Sequence, residues 1–258
     1  MLSAQSLRLQ LESSLAHRIA SALTPAPHIV RAVEQVGIHA VDDMLQGGLP
    51  LGAITEIVGP ECSGRTSLAL AFTARMTQAG RVSAWVDVSS ALHPESVAAM
   101  GVDLRRLLWV RCGERKRPAF SGKPWSRIEQ ALRVTDLLLQ AGGFGVIVLD
   151  LGSIAPEFAL RVPLATWFRY RKAAERSQAS ILLLTQHTCA KSSAGLVLRL
   201  QAGNALGDEP TVFTGMDYRV EILRERLSAK SNVIPIRKPP QPEHGARWRS
   251  ESLWTGSR

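Results

Sequence analysis

A glycine-containing segment between an apolar strand and a helix constrains the fold of this chain most strongly. Residues 53–58 are predicted to form a buried strand, and residues 67–76 a helix. The segment between them, residues 59–67, has the spacing G-x4-G-[K/R]-[S/T] of a phosphate-binding loop. In such a loop, backbone N–H groups surround phosphate at a helix N-terminus. The sequence therefore predicts an α/β fold with a nucleotide site.

Arginine stands where this motif carries lysine. The lysine would reach the β- and γ-phosphates, and the hydroxyl of the next residue would hold magnesium. Arg65 keeps the positive charge, but its guanidinium is a planar fork rather than a compact ammonium. The predicted nucleotide-binding residues are those of the loop and one residue beyond it: Gly59, Pro60, Glu61, Cys62, Ser63, Gly64, Arg65, Thr66, Ser67 and Gln186.

Composition sets the class of protein. A chain of 258 residues is long enough for one α/β core with tails, and a net charge of +9 favours a polyanionic partner or an acidic protein surface. The cysteines are odd in number and lack CxxC spacing (Cys62, Cys112 and Cys189), which favours a reducing compartment over disulfides or zinc. Without an apolar run of about 18 residues or a signal peptide, the predicted location is the cytoplasm, with no membrane partner.

Strands and helices alternate beyond the loop. Strands are predicted at 82–88, 107–110, 145–150 and 180–185, and helices at 94–100, 127–139 and 163–176. This alternation predicts a mostly parallel sheet with helices on both faces. Residues 195–201 and 217–223 alternate apolar and polar side chains, which predicts edge or antiparallel strands.

Two polar residues follow apolar strands downstream of the loop. Asp150 has the position of a Walker-B aspartate, so Thr66 and Asp150 are the predicted magnesium ligands. The alternative is an aspartate that caps a turn. The amide of Gln186 could sense a γ-phosphate, or it could be a solvated residue at a strand end.

The chain divides into three predicted regions. Residues 1–30 form an amphipathic helix and a linker, 31–228 form the core domain, and 229–258 form a disordered basic tail. The helix either packs on its own domain or docks on a neighbouring subunit of a homo-oligomer.

Several stretches, in order, resemble the RecA recombinase core: residues 47–66, 91–94, 101–108 and 146–150. This resemblance implies the RecA-type P-loop ATPase fold, with ATP and Mg²⁺ as cofactors. In RecA proteins a glutamate two residues after the aspartate of the second core strand positions the attacking water. Here that strand carries Asp87, and Ser89 stands in the place of the glutamate.

Other family positions differ as well. The adenine-stacking tyrosine falls at Ser96, a nearby aspartate falls at His93, and the second DNA-binding loop is cut to residues 187–193. With Arg65, these changes indicate a RecA-like protein that is not a recombinase.

The chain is similar to the short RecA-like accessory proteins of bacterial inducible-mutagenesis cassettes. That similarity implies a role in the SOS response to DNA damage, by translesion synthesis. The implied partners are a Y-family-like polymerase homologue, an error-prone polymerase, single-stranded DNA and RecA. One alternative is an active DNA-dependent ATPase of DNA repair that uses Glu61 or Glu95. Another is an interaction protein that resembles an SOS cell-division inhibitor.

Basic segments supply candidate binding residues. Cations interleaved with aromatic rings suit single-stranded nucleic acid, although each segment could also be a solvated face. The predicted DNA-binding residues are Arg115, Lys116, Arg117, Lys123, Arg169, Arg171 and Lys172. In the tail, Trp248, Leu253 and Trp254 are predicted to be exposed partner anchors, with plain disorder as the alternative.

Overall fold

Strands make up the centre of the computed structural model, which describes residues 32–113, 126–206, 215–226 and 245–251. The strands of these ranges are β1 (Val33–Glu34), β2 (Leu49–Pro50), β3 (Ile54–Val58), β4 (Val82–Asp87), β5 (Leu107–Arg111), β6 (Phe144–Asp150), β7 (Ser180–Thr185), β8 (Leu196–Leu206), β9 (Gly215–Glu225) and β10 (Gly245–Glu251).

Helices connect most of these strands. They are α1 (His39–Met44), α2 (Arg65–Gln78), α3 (Pro94–Ala99), α4 (Arg127–Ala141), α5 (Pro156–Leu160) and α6 (Leu164–Ser177), with 3₁₀ turns at Leu104–Arg106 and Lys191–Ser193. Within the described ranges, no helix is long and apolar enough to cross a membrane.

The main sheet has the strand order β10-β9-β8-β3-β7-β6-β4-β5. From β8 to β5 every neighbouring pair is parallel, whereas β9 runs antiparallel to both β8 and β10. The predicted fold, a mostly parallel sheet with helices and antiparallel C-terminal strands, is therefore confirmed. β8 is an interior strand, parallel to β3 on one side and antiparallel to β9 on the other.

Two apolar clusters cover the two faces of the sheet. Along β6, Val146 and Val148 belong to the cluster that contains Phe72 of α2, and Ile147 and Leu149 belong to the one that contains Trp167 of α6. Successive strand residues point to opposite faces, so a strand covered on both sides must be apolar throughout. This explains the continuous apolar runs in the sequence.

The tail contains a strand that the sequence analysis missed. β10 pairs with β9, and Trp248 lies opposite Tyr218. Disorder was therefore the wrong prediction for residues 245–251. The predicted N-terminal helix and the rest of the tail lie outside the described residues, and the boundaries of the three predicted regions stay predictions.

Candidate nucleotide site

The predicted site residues meet where neighbouring parallel strands end. Gly59, directly after β3, donates its N–H to the Thr185 carbonyl at the end of β7 (3.2 Å). Asp150, the last residue of β6, lies opposite Asp87, the last residue of β4. Crevices beyond the carboxyl ends of parallel strands are the usual ligand sites of open α/β sheets. The loop, Asp150 and Gln186 therefore lie at the carboxyl ends of the neighbouring strands β3, β6 and β7, and their assignment as nucleotide and magnesium ligands stays a prediction.

The loop has two glycines that a side chain would disrupt. A Cβ at Gly59 would lie 2.4 Å from the Leu200 carbonyl oxygen and 2.6 Å from Ser63 Oγ. Gly64 has φ +84°, and a Cβ there would lie 2.6 Å from the Tyr218 ring. Because α2 begins directly after Gly64, the loop leads into a helix N-terminus, where N–H groups attract anions.

Arg65 lies inside the site rather than on its surface. Its side chain is only 8% exposed, and Nη2 donates to the Gly152 carbonyl (3.1 Å). Gln186 Nε2 donates to the same oxygen (3.2 Å), while the Gly152 N–H donates to Asp150 Oδ1 (2.9 Å). The Gly152 peptide therefore connects the phosphate-binding loop with the ends of β6 and β7.

Burial and neighbouring charges both shift the pKa values in the site. Burial lowers the pKa of Arg65, and the Asp150 and Glu61 carboxylates act in the other direction. Burial raises the pKa of Asp150 and the Asp87 charge adds to that rise, whereas the Gly152 N–H bond and the Arg65 charge lower it. An arginine stays protonated in proteins, so Arg65 still presents a positive charge to a ligand.

Two polar atoms of the loop, Ser63 Oγ and Arg65 Nη1, are buried and have no hydrogen-bond partner among the described residues. Buried donors are normally satisfied, and unpaired ones call for a ligand or a water molecule. Two such groups at the start of a helix fit the phosphates of a nucleotide.

Only two protein ligands are predicted for magnesium, Thr66 and Asp150. Thr66 is exposed in the first turn of α2, and Asp150 is half-buried. The described ranges contain no group of three or more His, Cys, Asp and Glu residues arranged to hold a metal ion. A magnesium ion held by Thr66 and Asp150 would need phosphate and water oxygens as its other ligands, which is how this ion usually binds in nucleotide sites.

Asp87, two residues before the position of the missing glutamate, stabilises the backbone after β4. The carboxylate, 1% exposed, accepts hydrogen bonds from the backbone N–H groups of Ser89 (3.1 Å), Ala91 (3.2 Å) and Leu92 (3.0 Å) and from Trp109 Nε1 (3.2 Å). These four donors fix the turn after β4. A hydroxyl at Ser89 cannot by itself take a proton from water at neutral pH.

The two residues at the family's adenine-recognition positions bind each other. His93 Nδ1 accepts from the Ser96 N–H (3.3 Å) and lies 3.2 Å from Ser96 Oγ, an arrangement that caps the N-terminus of α3. Ser96 has no ring to stack on adenine, and the imidazole ring of His93 is held by Ser96 through its Nδ1. The two alternative acids, Glu61 and Glu95, are exposed.

Sequence analysis missed Glu56, which lies in the middle of β3 and is fully buried. Its Oε1 accepts from the N–H groups of Cys189 (2.6 Å) and Ala190 (3.2 Å), which follow β7. Glu56 therefore anchors the shortened loop after Gln186 to the strand that leads into the phosphate-binding loop. The available signal was a carboxylate inside an otherwise apolar strand.

Tyr218 was the second omission. Its ring lies against Gly64 and also packs against Trp248, with ring centroids 4.9 Å apart and planes 34° apart. Burial raises the pKa of Tyr218, against a hydrogen bond with the Ser67 side chain. Trp248 is buried, so it is not the exposed anchor that the sequence predicted. The apolar–polar alternation of 217–223 could have marked Tyr218 as an inward-facing residue.

The remaining predicted binding residues lie elsewhere. Arg169 makes a bidentate bond with Asp136 of α4 (3.0 and 2.6 Å), and Arg171 and Lys172 both pair with Glu175 (3.5 and 4.0 Å). Outside the described residues lie Arg115, Lys116, Arg117, Lys123, Leu253 and Trp254.

Comparison with known proteins agrees with this geometry. The protein family described as the RecA N-terminal domain matches residues 27–161. Protein RecA of Saccharopolyspora erythraea is 33% identical over 205 residues, which cover 74% of this chain and 56% of that protein. Protein RecA of Salinispora arenicola is 38% identical over 125 residues, 48% of this chain and 32% of that protein. The matches thus span about a third to a half of the curated relatives.

A solved structure extends the likeness of fold beyond the family match. The crystal structure of the RadB recombinase has a TM-score of 0.54 with this chain and covers 83% of it and 94% of that protein. Its sequence identity is 19%, so this likeness concerns the fold alone.

Proposed function

The chain belongs to the RecA family, and from that premise we propose that it is a non-recombinase accessory protein of DNA repair. In this proposal it acts in SOS damage-induced mutagenesis by translesion synthesis, and it binds a polymerase partner, DNA or both. Its nucleotide site retains phosphate binding but has lost efficient hydrolysis.

The observation that carries this proposal is the position of Arg65. One arm of the guanidinium, Nη2, donates to the Gly152 carbonyl, and the other, Nη1, is buried and has no hydrogen-bond partner in the part of the chain that the structure describes. Because guanidinium offers several fixed N–H donors, Arg65 can hold Gly152 and a phosphate oxygen at the same time. A cation that is fixed in this way suits a site that binds phosphate. It suits less well a catalytic site, in which the cation must move with the phosphoryl group during its transfer.

The residues that would supply hydrolysis support the same interpretation. The four donors on Asp87 leave it committed to the turn after β4. Ser89, at the position of the family's glutamate, has no carboxylate to orient or deprotonate water. We therefore expect ATP and Mg²⁺ to bind without appreciable turnover. When bound, the phosphates of ATP would lie against the loop amides and Arg65, and Thr66 and Asp150 would hold Mg²⁺.

A second candidate function is an active DNA-dependent ATPase. The Glu61 carboxylate lies close enough to Arg65 to influence its pKa, so a carboxylate is present beside the loop. In this case Glu61 would take the role of the missing glutamate. Its exposure argues against a preorganised base, because water competes for an exposed carboxylate.

ATP hydrolysis by the full chain tests the proposal directly. Phosphate release is measured with Mg²⁺, with and without single-stranded DNA, for the natural protein and for Asp150→Ala. We expect no release above the Asp150→Ala background under either condition. Turnover that DNA stimulates, and that Asp150→Ala abolishes, would favour the active ATPase instead.

The accessory role needs its own test. The full chain is co-expressed with the Y-family-like polymerase homologue of the same organism and purified by a tag on that partner. A stoichiometric complex supports the accessory role. A mixture that separates completely on size exclusion at micromolar concentration would refute this choice of partner.

A further inference from the structure

Helices α5 and α6 expose four large apolar side chains that the nucleotide site does not use. We call Phe158, Leu160, Leu164 and Phe168 the α5–α6 patch, and each of them is 48–51% exposed. Trp167, Tyr170 and Ala174 form the buried side of α6, so the side chains of the patch are not the ones that pack this helix onto the core. The four residues lie within eleven residues of the chain, and Leu164 and Phe168 are one turn apart on the same side of α6. Clustered exposed apolar residues often mark an interaction site.

Positive charges surround the patch. The Arg161 guanidinium lies over the Phe158 ring (5.4 Å), and the charged groups of Arg171 and Lys172 lie over the Phe168 ring (5.1 and 5.8 Å). Between residues 156 and 177 the sequence carries five cations (Arg161, Arg169, Arg171, Lys172 and Arg176) and two acids (Glu157 and Glu175), and Asp136 of α4 also pairs with Arg169, so five minus three gives a net charge of +2. A partner that is both apolar and acidic would complement this surface.

We propose that the α5–α6 patch binds an acidic amphipathic segment of a protein partner. In the bound state, apolar side chains of that segment would cover Leu160, Leu164 and the exposed edges of the two phenylalanine rings. Its carboxylates would meet Arg161 and Lys172 at the rim. This division between an apolar centre and a charged rim is typical of protein interfaces.

The details of the patch favour a protein partner over single-stranded nucleic acid. Nucleic-acid bases stack on open aromatic faces, but both phenylalanine rings have their own cations over them. Leu160 and Leu164 offer no ring for stacking. Carboxylates already hold Arg169 (Asp136, 2.6 Å) and Arg171 (Glu175, 3.5 Å), so these two cations offer little to a phosphate backbone. Lys172 lies at the longer distance of 4.0 Å from Glu175 and can still meet a carboxylate of a partner at the rim.

The proposal rests on the accessory function only in requiring a protein partner, since none of its residues belongs to the nucleotide site. A nucleotide measurement therefore separates the two ideas. Affinity for a fluorescent ATP analogue should be the same in the natural protein and in the double variant Leu164→Ser/Phe168→Ser. Peptide binding by that variant reports on the patch alone.

Selection from a displayed library of random 16-residue peptides tests the proposal. The full chain is the bait, and Leu164→Ser/Phe168→Ser is the counter-selection. We expect enriched peptides to be acidic, with apolar residues at i, i+3 or i+4, and i+7. Measured by fluorescence anisotropy, their affinity should fall about tenfold or more in the double variant, because buried apolar anchors dominate such interfaces. Lys172→Glu should weaken binding mainly through slower association.

Leu104→Ser is the matched control, because Leu104 is 44% exposed but lies in the 3₁₀ turn before β5. It should leave peptide affinity unchanged. The proposal is overturned if the library yields no enriched peptides, if those enriched are basic, or if they bind the double variant as well as the natural protein. It is also overturned if the double variant loses affinity for an oligo(dT) probe while its peptide affinity is unchanged, since the patch would then bind nucleic acid.

Discussion

Replacing Glu56 should destabilise the protein more than replacing an exposed acidic residue would. Glu56→Ala removes the acceptor of two buried N–H groups, those of Cys189 and Ala190. An unsatisfied buried donor costs about 1–3 kcal/mol, so two cost about 2–6 kcal/mol. Glu56 Oε2 is itself buried without a partner among the described residues, so its removal offsets part of this cost and leaves about 3 kcal/mol. For a domain of this size, about 3 kcal/mol corresponds to a fall in Tm of about 6–12 °C.

Glu56→Gln is the matched control, because its carbonyl oxygen can still accept from both N–H groups. We expect this variant to lose only about 1 kcal/mol, since a neutral acceptor makes weaker bonds than a carboxylate. Urea unfolding followed by circular dichroism gives both free energies. A second readout is the thiol of Cys189, which should become reactive in Glu56→Ala as its loop is released. Equal stabilities for the two variants would refute the anchoring role of Glu56.

Three further predictions concern other parts of the structure. A maleimide should label exposed Cys62 rapidly and buried Cys112 and Cys189 slowly. Labelling of the two slow cysteines should rise with pH, because burial raises the pKa of both thiols and the thiolate is the reactive form. Similar rates for all three cysteines would contradict the burial of Cys112 and Cys189. Trp248→Ala should lower the free energy of unfolding by about 3–5 kcal/mol in urea, whereas a loss under 1 kcal/mol would mean that β10 is not packed on the core. Asp87→Ala should lower thermal stability by several degrees through its four lost bonds, and an unchanged Tm would show that the turn after β4 does not depend on it.

Local sequence patterns predicted the parallel part of the sheet, because each of its strands is an apolar run of consecutive residues. The strand–loop–helix order at 53–76 and the apolar runs of β6 and β7 fix a parallel sheet covered on both faces. Parallel strands also bring their carboxyl ends together, which is why a sequence pattern can place Asp150 and Gln186 near the loop, while their role as ligands stays a prediction.

The contacts that complete the site join residues far apart in the chain, which is why the sequence did not reveal them. The bond from Arg65 to Gly152 and the packing of Tyr218 on Gly64 depend on how loops and strands meet in three dimensions. The strand at Gly245–Glu251 was taken for disorder because its surroundings are rich in Pro, Gly and Arg. Its stability comes from pairing with β9 and from burying Trp248, and a composition argument does not include such tertiary contacts.

Titration with a fluorescent ATP analogue and Mg²⁺, on the natural protein and on Arg65→Lys, tests the central claim about the nucleotide site most directly. We predict saturable binding by both proteins and no turnover by either, because the loop amides and a cation remain while Ser89 cannot support hydrolysis. Cys62 should be protected from maleimide over the same concentration range. If neither protein binds the analogue, or if Arg65→Lys alone restores rapid hydrolysis, the claim of a binding site without turnover is wrong.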